Sequence, residues 1–211
     1  MSKQRQIAVT GTGLASGSPD QCTLHISLNH MAEGAADALT GTADIATKAI
    51  AALGEARIEQ CEVRTVGLSV QDFFDQGKQK ITARIGSYQL DVVIRPINEA
   101  GTVLASLSST VGDALQVRGI QLTIEDPEPL KSEARRLAIQ DAKRRAMELS
   151  GEAGVRLGVI LSIQDENASS VPFAQRAMPI MSGSFAAANV PIEAGSVSAV
   201  SNVTLVYAIE K

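Results

Sequence analysis

The 211-residue chain is 45% apolar with a net charge of −4 and a pI near 5.3. That balance is ample for a packed core and sets the molecule as a whole against phosphate backbones and anionic lipid surfaces, so nucleic acid is excluded as a partner. With no Trp and 3% aromatic residues, Ala, Val, Ile and Leu must supply nearly all the buried area; such a core is thin, and association would strengthen it.

In chain order, residues 7–12 and 21–30 read as strands joined by the turn-rich run GTGLASGSPD, a hairpin or wide β-connection. In the second strand Cys22, Leu24, Ile26 and Leu28 alternate with Thr23, His25, Ser27 and Asn29, giving one buried and one wetter face. The period changes after Glu33: Leu39, Ala43, Ala46, Ile50 and Leu53 mark an amphipathic helix that Gly54 ends. Strands over 62–74 and 81–95 follow, joined by the polar turn DQGKQK and pairing as an antiparallel hairpin. Beyond Pro96, the residues Ala100, Leu104, Leu107 and Val111 define a shorter helix, and a strand spans 115–125. Residues 21–125 thus have the β-α-β-β-α-β order of a ferredoxin-like unit, two helices on one face of an antiparallel sheet.

Residues 126–211 add a long helix, a strand over 155–165, a loop over 166–196 and a final strand around 203–209. The helix begins near Asp126 and Pro127, carries the stripe Leu130, Ala134, Leu137, Ala138, Ala142 and Leu149, and stops at Gly154. The expected architecture is α+β, with antiparallel or mixed sheets, in one domain spanning 1–211. At about 30 residues the loop is too long for an ordinary connection and is either mobile or functional. Its apolar Phe173, Met178, Ile180, Met181 and Phe185 are candidate oligomer contacts, with packing on their own sheet as the alternative.

Several motifs that look like chemistry do not hold up. Gly11, Gly13 and Gly17 imitate a dinucleotide fingerprint, but the spacing is one residue too long and Pro19 follows where a helix should begin, so they read as turn residues. His25 and His30, five apart in one strand, point to opposite faces and cannot share a metal. A catalytic His25 or Cys61 would need a carboxylate brought beside it in a polar pocket. Asp72 and Asp75 are solvated turn acids. The basic run Arg135, Arg136, Lys143, Arg144 and Arg145 spreads around its helix among Glu133, Asp141, Glu148 and Glu152, a face laced with ion pairs such as Asp141–Arg145 and Arg144–Glu148. Cys22 and Cys61 read as free thiols, Cys22 core-facing. No catalytic residue, cofactor or metal is expected. A spanning helix and a signal core are both missing from the sequence as written, which points to the cytoplasm; export is the alternative if translation starts upstream.

Three stretches, IAVTGTGLASGSPDQCTLHISL, EARRLAIQDAKRRAMELSGEAGVRLGVILSIQD and PIEAGSVSAVSNVTLVYAIE, resemble the SIMPL-domain family in this order. This bacterial group includes YggE-like and periplasmic immunogenic proteins. The resemblance implies an α+β fold, export in most members, a link to oxidative or envelope stress in some, and a ring-like or channel-like oligomer in at least one branch. It implies no catalytic residue or cofactor. A self-associating, non-enzymatic protein is the expectation, ahead of a small-ligand or peptide-binding module and of an enzyme.

Overall fold

The structure is a computed structural model describing residues 5–55, 60–171 and 195–210, with the backbone alone at 55, 60, 61 and 167–171. The chain order is β1 (Gln6–Gly17), β2 (Gln21–Ala32), α1 (Ala35–Glu55), β3 (Gln60–Asp75), β4 (Lys80–Arg95), α2 (Ala100–Val111), β5 (Leu115–Thr123), α3 (Glu128–Glu152), β6 (Arg156–Val171) and β7 (Val197–Glu210). These form two compact units. One holds the described residues of 19–123; the other holds β1, α3, β6 and β7.

The 19–123 unit realises the expected β-α-β-β-α-β order, with strands arranged β3-β4-β2-β5 and every neighbouring pair antiparallel. Alternation works as read from the sequence: Cys22, Leu24, Ile26 and Leu28 are buried with Leu90, Val92 and Ile94 beneath Ala46, Ala49 and Leu53 of α1 and Val103, Leu104 and Leu107 of α2. The core is aliphatic throughout. At Gly86 of β4 the helix comes so close that a Cβ would lie 2.5 Å from the Ala38 carbonyl oxygen and 2.3 Å from Thr42 Oγ1. Both α1 residues at that contact are small and fully buried.

The other unit differs from the sequence reading in three respects, two at its first strand and one on its helix. The run GTGLASG is not a turn: β1 continues through Gly17, leaving only Ser18, Pro19 and Asp20 to connect it to β2. Nor does β1 pair with β2. It lies antiparallel to β7, from Gln6 opposite Ala208 to Gly17 opposite Val197, in a three-stranded sheet ordered β1-β7-β6. Alternate residues Val9, Gly11, Gly13 and Ala15 face α3 and are buried. A Cβ on Gly11 would stand 2.2 Å from the Ala138 carbonyl oxygen and 2.3 Å from Ala142 N, and on Gly13 1.9 Å from the Ala134 carbonyl oxygen. Here the glycines serve close backbone approach rather than a bend.

The long helix begins where Asp126 Oδ1 accepts the Glu128 N–H at 3.0 Å. It ends at Gly154, whose φ of 65° suits glycine, with the Val155 N–H returning to the Ser150 carbonyl at 3.0 Å. Its buried stripe is Ala134, Ala138, Ala142, Ala146 and Ser150, not the leucine-led stripe of the sequence: Leu149 is 53% exposed. Alanine at every fourth position lets the helix backbone sit directly on the β1 glycines.

Gly13→Ala should therefore cost at least about 3 kcal/mol, because its new methyl meets helix backbone that cannot rotate away. Gly151→Ala, with nothing within 4 Å of its would-be Cβ, should be neutral or stabilising by up to about 1 kcal/mol. Urea unfolding of the two variants checks this; equal midpoints would show that the helix yields at the contact.

Candidate functional site

On the face of the four-stranded sheet away from α1 and α2, the register sets Gly119, His25, Asp91 and Arg64 side by side in one transverse row. His25 Nδ1 lies 2.6 Å from Asp91 Oδ1. A carboxylate accepts here, so the imidazole donates from Nδ1 and directs Nε2 away from Asp91. Gly119 provides no side chain beside that end of the ring; a Cβ there would be 3.8 Å from His25 Cδ2. The neighbouring row is neutral and polar. Asn29 Oδ1 accepts from Ser27 Oγ at 3.0 Å and Ser87 Oγ at 2.7 Å, and Asn29 Nδ2 donates to Gln116 at 3.3 Å. Arg64 is bound to Glu62 through two hydrogen bonds at 2.6 and 2.8 Å.

This is the histidine–carboxylate pairing that a catalytic His25 would require, and Asp91 is the residue the sequence reading missed. Sixty-six positions separate the two, and only the strand register brings them together. Among the described residues no hydroxyl or thiol is hydrogen-bonded to the ring, and no cluster of His, Cys, Asp and Glu is arranged to hold a metal. The pair can hydrogen-bond a ligand through Nε2, and among the described residues no nucleophile stands beside it. His30 lies on the opposite face of β2, its ring against Gly41 of α1. Burial pushes the Cys22 thiol up to about 11, so it stays protonated and unreactive at neutral pH.

The remaining charged candidates serve structural roles. Asp72 pairs with Arg84 at 2.9 Å, and Asp75 Oδ1 accepts the Gly77 and Lys78 N–H groups at the hairpin turn. On α3, Arg144 reaches Glu148 at 2.6 Å, and Arg145 reaches Asp141 at 2.8 Å. Arg135 Nε lies 2.9 Å from Asp165 of β6, although the pair is not aligned as a hydrogen bond.

The sheet edges differ more sharply. β1 is one edge of the three-stranded sheet, and two of its outward backbone groups are occupied: the Thr12 N–H donates to Asp141 Oδ2 at 3.1 Å, and the Thr10 carbonyl accepts from Arg145 Nη1 at 3.1 Å. Beside them an open groove of about 520 Å³ is lined by Ala8, Val9, Thr10, Arg145, Glu148, Leu149 and Glu152. At the other edge β6 exposes Val159 (69%), Ile163 (62%), Ile160 and Leu161, with no charge between Leu157 and Gln164. In the other unit the edge strand β3 and the hairpin tip expose Val66, Leu68, Phe73, Phe74 and Ile81. The expected contacts Phe173, Met178, Ile180, Met181 and Phe185 lie outside the described residues.

A family profile described as SIMPL, "Protein of unknown function (DUF541)", matches residues 7–207. The chain is 32% identical over 219 residues to the 26 kDa periplasmic immunogenic protein of Brucella melitensis, covering 97% of this chain and 85% of that protein. It is 25% identical over 161 residues to the uncharacterized protein YggE of Escherichia coli K12, covering 75% of this chain and 64% of the other. A solved structure titled as AtUAH in complex with glyoxylate aligns at 14% identity and a TM-score of 0.29 over 56% of this chain and 30% of its own, too slight a likeness to carry an argument. The Brucella relatives are named periplasmic, and this overturns the cytoplasmic placement expected from the sequence.

The plug on β1 has a pH signature. Asp141 is held below the usual carboxylate range, first by the Thr12 N–H and then by Arg144 and Arg145. A carboxylate with a lowered folded-state pKa adds stability above its unfolded value of ~3.9, and that stability is lost as pH falls through the folded value. Asp141→Asn should lower stability by about 1 kcal/mol at neutral pH, with the difference from the parent closing under acid. Denaturation midpoints from pH 7 to pH 2 check it, and a gap unchanged in acid would remove the carboxylate from the account.

Proposed function

The chain belongs to the SIMPL family, and from that premise we propose that it is an exported, self-associating protein whose role is structural rather than catalytic, a scaffold or channel-like assembly. The observation that carries this reading is β6, an edge strand with an uncharged apolar run turned to solvent, in a sheet whose other edge is plugged. Uncharged edges offer unpaired backbone groups to another chain, and apolar side chains on them gain by being covered. The exposed residues of β3 and the hairpin tip add a second apolar surface in the other unit. Export is supported by the periplasmic names of the Brucella relatives.

Multi-angle light scattering tests the proposal. At micromolar concentration the mass should be a multiple of the 22.1 kDa chain, and Val159→Lys with Ile163→Lys should reduce it at unchanged circular dichroism. A single-chain mass throughout would refute self-association.

The His25–Asp91 row favours a second reading, a small-ligand site on the polar face of the sheet. Under it, one or more of a panel of neutral sugars, amino acids and short peptides raises the melting temperature of the parent, as binding to the folded state requires, and Asp91→Asn abolishes the rise. No shift with any member of the panel would leave the row a solvated surface.

A further inference from the structure

The plug on β1 leaves the start of that strand open. The Thr10 carbonyl and the Thr12 N–H point away from β7, and in an antiparallel pair the outward direction recurs at every second residue. The N–H and C=O of Ala8 therefore point outward too, and neither is bonded among the described residues. Ala8 lines the groove of about 520 Å³ between β1 and the end of α3, where half-exposed Leu149 forms an apolar wall. Arg145, fixed on the Thr10 carbonyl, closes the groove at one end.

The charges at this groove do not balance. Arg145 is taken by Asp141 and Glu148 by Arg144, whereas Glu152 has no ionic partner among the described residues. Glu152 is also the last residue of α3, whose last turn carries no basic side chain. The carbonyl end of a helix favours a cation and opposes a carboxylate, so Glu152 stands where stability alone would not place it. A cation brought from outside would satisfy the carboxylate and the helix end together.

We infer that this groove binds an extended peptide, antiparallel to β1, in which the residue opposite Ala8 is flanked by one apolar and one basic side chain. Every described strand pair of the chain is antiparallel. Strand addition takes its affinity from main-chain bonds and its specificity from alternate side chains. The peptide residue opposite Ala8 exchanges both backbone bonds with it. Its two neighbours, opposite Val9 and Ile7, project to the side on which Val9 meets α3. Because α3 runs antiparallel to β1, the neighbour opposite Val9 covers Leu149 and the neighbour opposite Ile7 reaches Glu152. From its N-terminus the peptide thus reads apolar, any residue, basic. This site is separate from the His25 row and does not depend on self-association.

The probe is the peptide Thr-Val-Thr-Lys-Thr-amide, labelled with a dye at its N-terminus, whose anisotropy is followed as the full chain is added. Saturable binding is expected, and glutamate in place of the peptide lysine should weaken it at least about tenfold. N-methylation of the central threonine, which removes the donor to the Ala8 carbonyl, should weaken it by about the same factor. Glu152→Gln should also lower affinity about tenfold while leaving the melting temperature of the free protein unchanged or higher, a combination that a merely structural glutamate would not show. Carbodiimide coupling should join the peptide lysine to Glu152. No saturable binding up to millimolar protein, coupling mapped to carboxylates away from the groove, or full affinity in Glu152→Gln would each overturn the site.

Discussion

The three-stranded unit depends on one close contact, the backbone of α3 lying on the glycines of β1. Alternate residues of a strand repeat every ~6.6 Å and every fourth residue of a helix every ~6.0 Å, so the two elements stay nearly in step over several repeats. The contacts follow that rule: Gly11 lies under Ala138 and Ala142, and Gly13, two residues on, lies under Ala134 and Ala138, four residues back. Small residues are needed at each of these positions, and Ser201, directly opposite Gly13 on β7, is one of them. Its hydroxyl is buried and finds no hydrogen-bond partner among the described residues, a cost of about 1–3 kcal/mol that its small volume must offset. Gly86 beneath Ala38 and Thr42 repeats the device in the four-stranded unit.

Such packing has a geometric consequence at the surface. A helix is about 10 Å across and strands lie ~4.8 Å apart, so α3 alone covers two strands and leaves a third outside its shadow. It sits on β1 and β7, where Ala138, Ala142 and Ala146 meet Val9, Val203 and Leu205. Ile160 and Ile163 of β6 oppose Tyr207 and Leu205 on the helix side of the sheet and remain exposed. In the four-stranded unit the mismatch is one of length: β3 and β4 run 16 residues each, about 53 Å, against about 31 Å for the 21 residues of α1. Phe74 and Ile81 pair with each other near the hairpin end, where little of the unit's core reaches. The exposed apolar residues are thus what an alanine-rich, narrow helical cover leaves behind.

What could be read in the sequence was what local periodicity encodes. Alternation in β2 gave its buried face, Gly54 and Gly154 marked helix ends to within two residues, and the i,i+4 spacing gave Asp141–Arg145 and Arg144–Glu148, both formed. Long-range pairing was not legible. The partner of β1 lies some 190 residues away in β7, and nothing in GTGLASG distinguishes a turn from a strand whose glycines admit a helix. The stripe of α3 was misjudged because leucine outranks alanine on any hydrophobic scale, yet close approach selects for small volume over apolar area. Asp91 was invisible for the same reason as β7: its meeting with His25 is a product of register.

The plug on β1 and the exposed apolar residues of β6 acquire meaning together. A sheet with two open edges can add copies at both and has no reason to stop, which is the route to fibres. A sheet with backbone groups of one edge already held by its own helix side chains is extended more readily from the other edge. Asp141 serves both ends of this arrangement: it anchors Arg144 and Arg145 along the helix and supplies the acceptor that takes the Thr12 N–H out of use. The charged side chains of α3 thus satisfy one another and hold two backbone groups of a sheet edge. The exposed residues of β3 in the other unit are a second apolar patch, set like those of β6 on an edge strand.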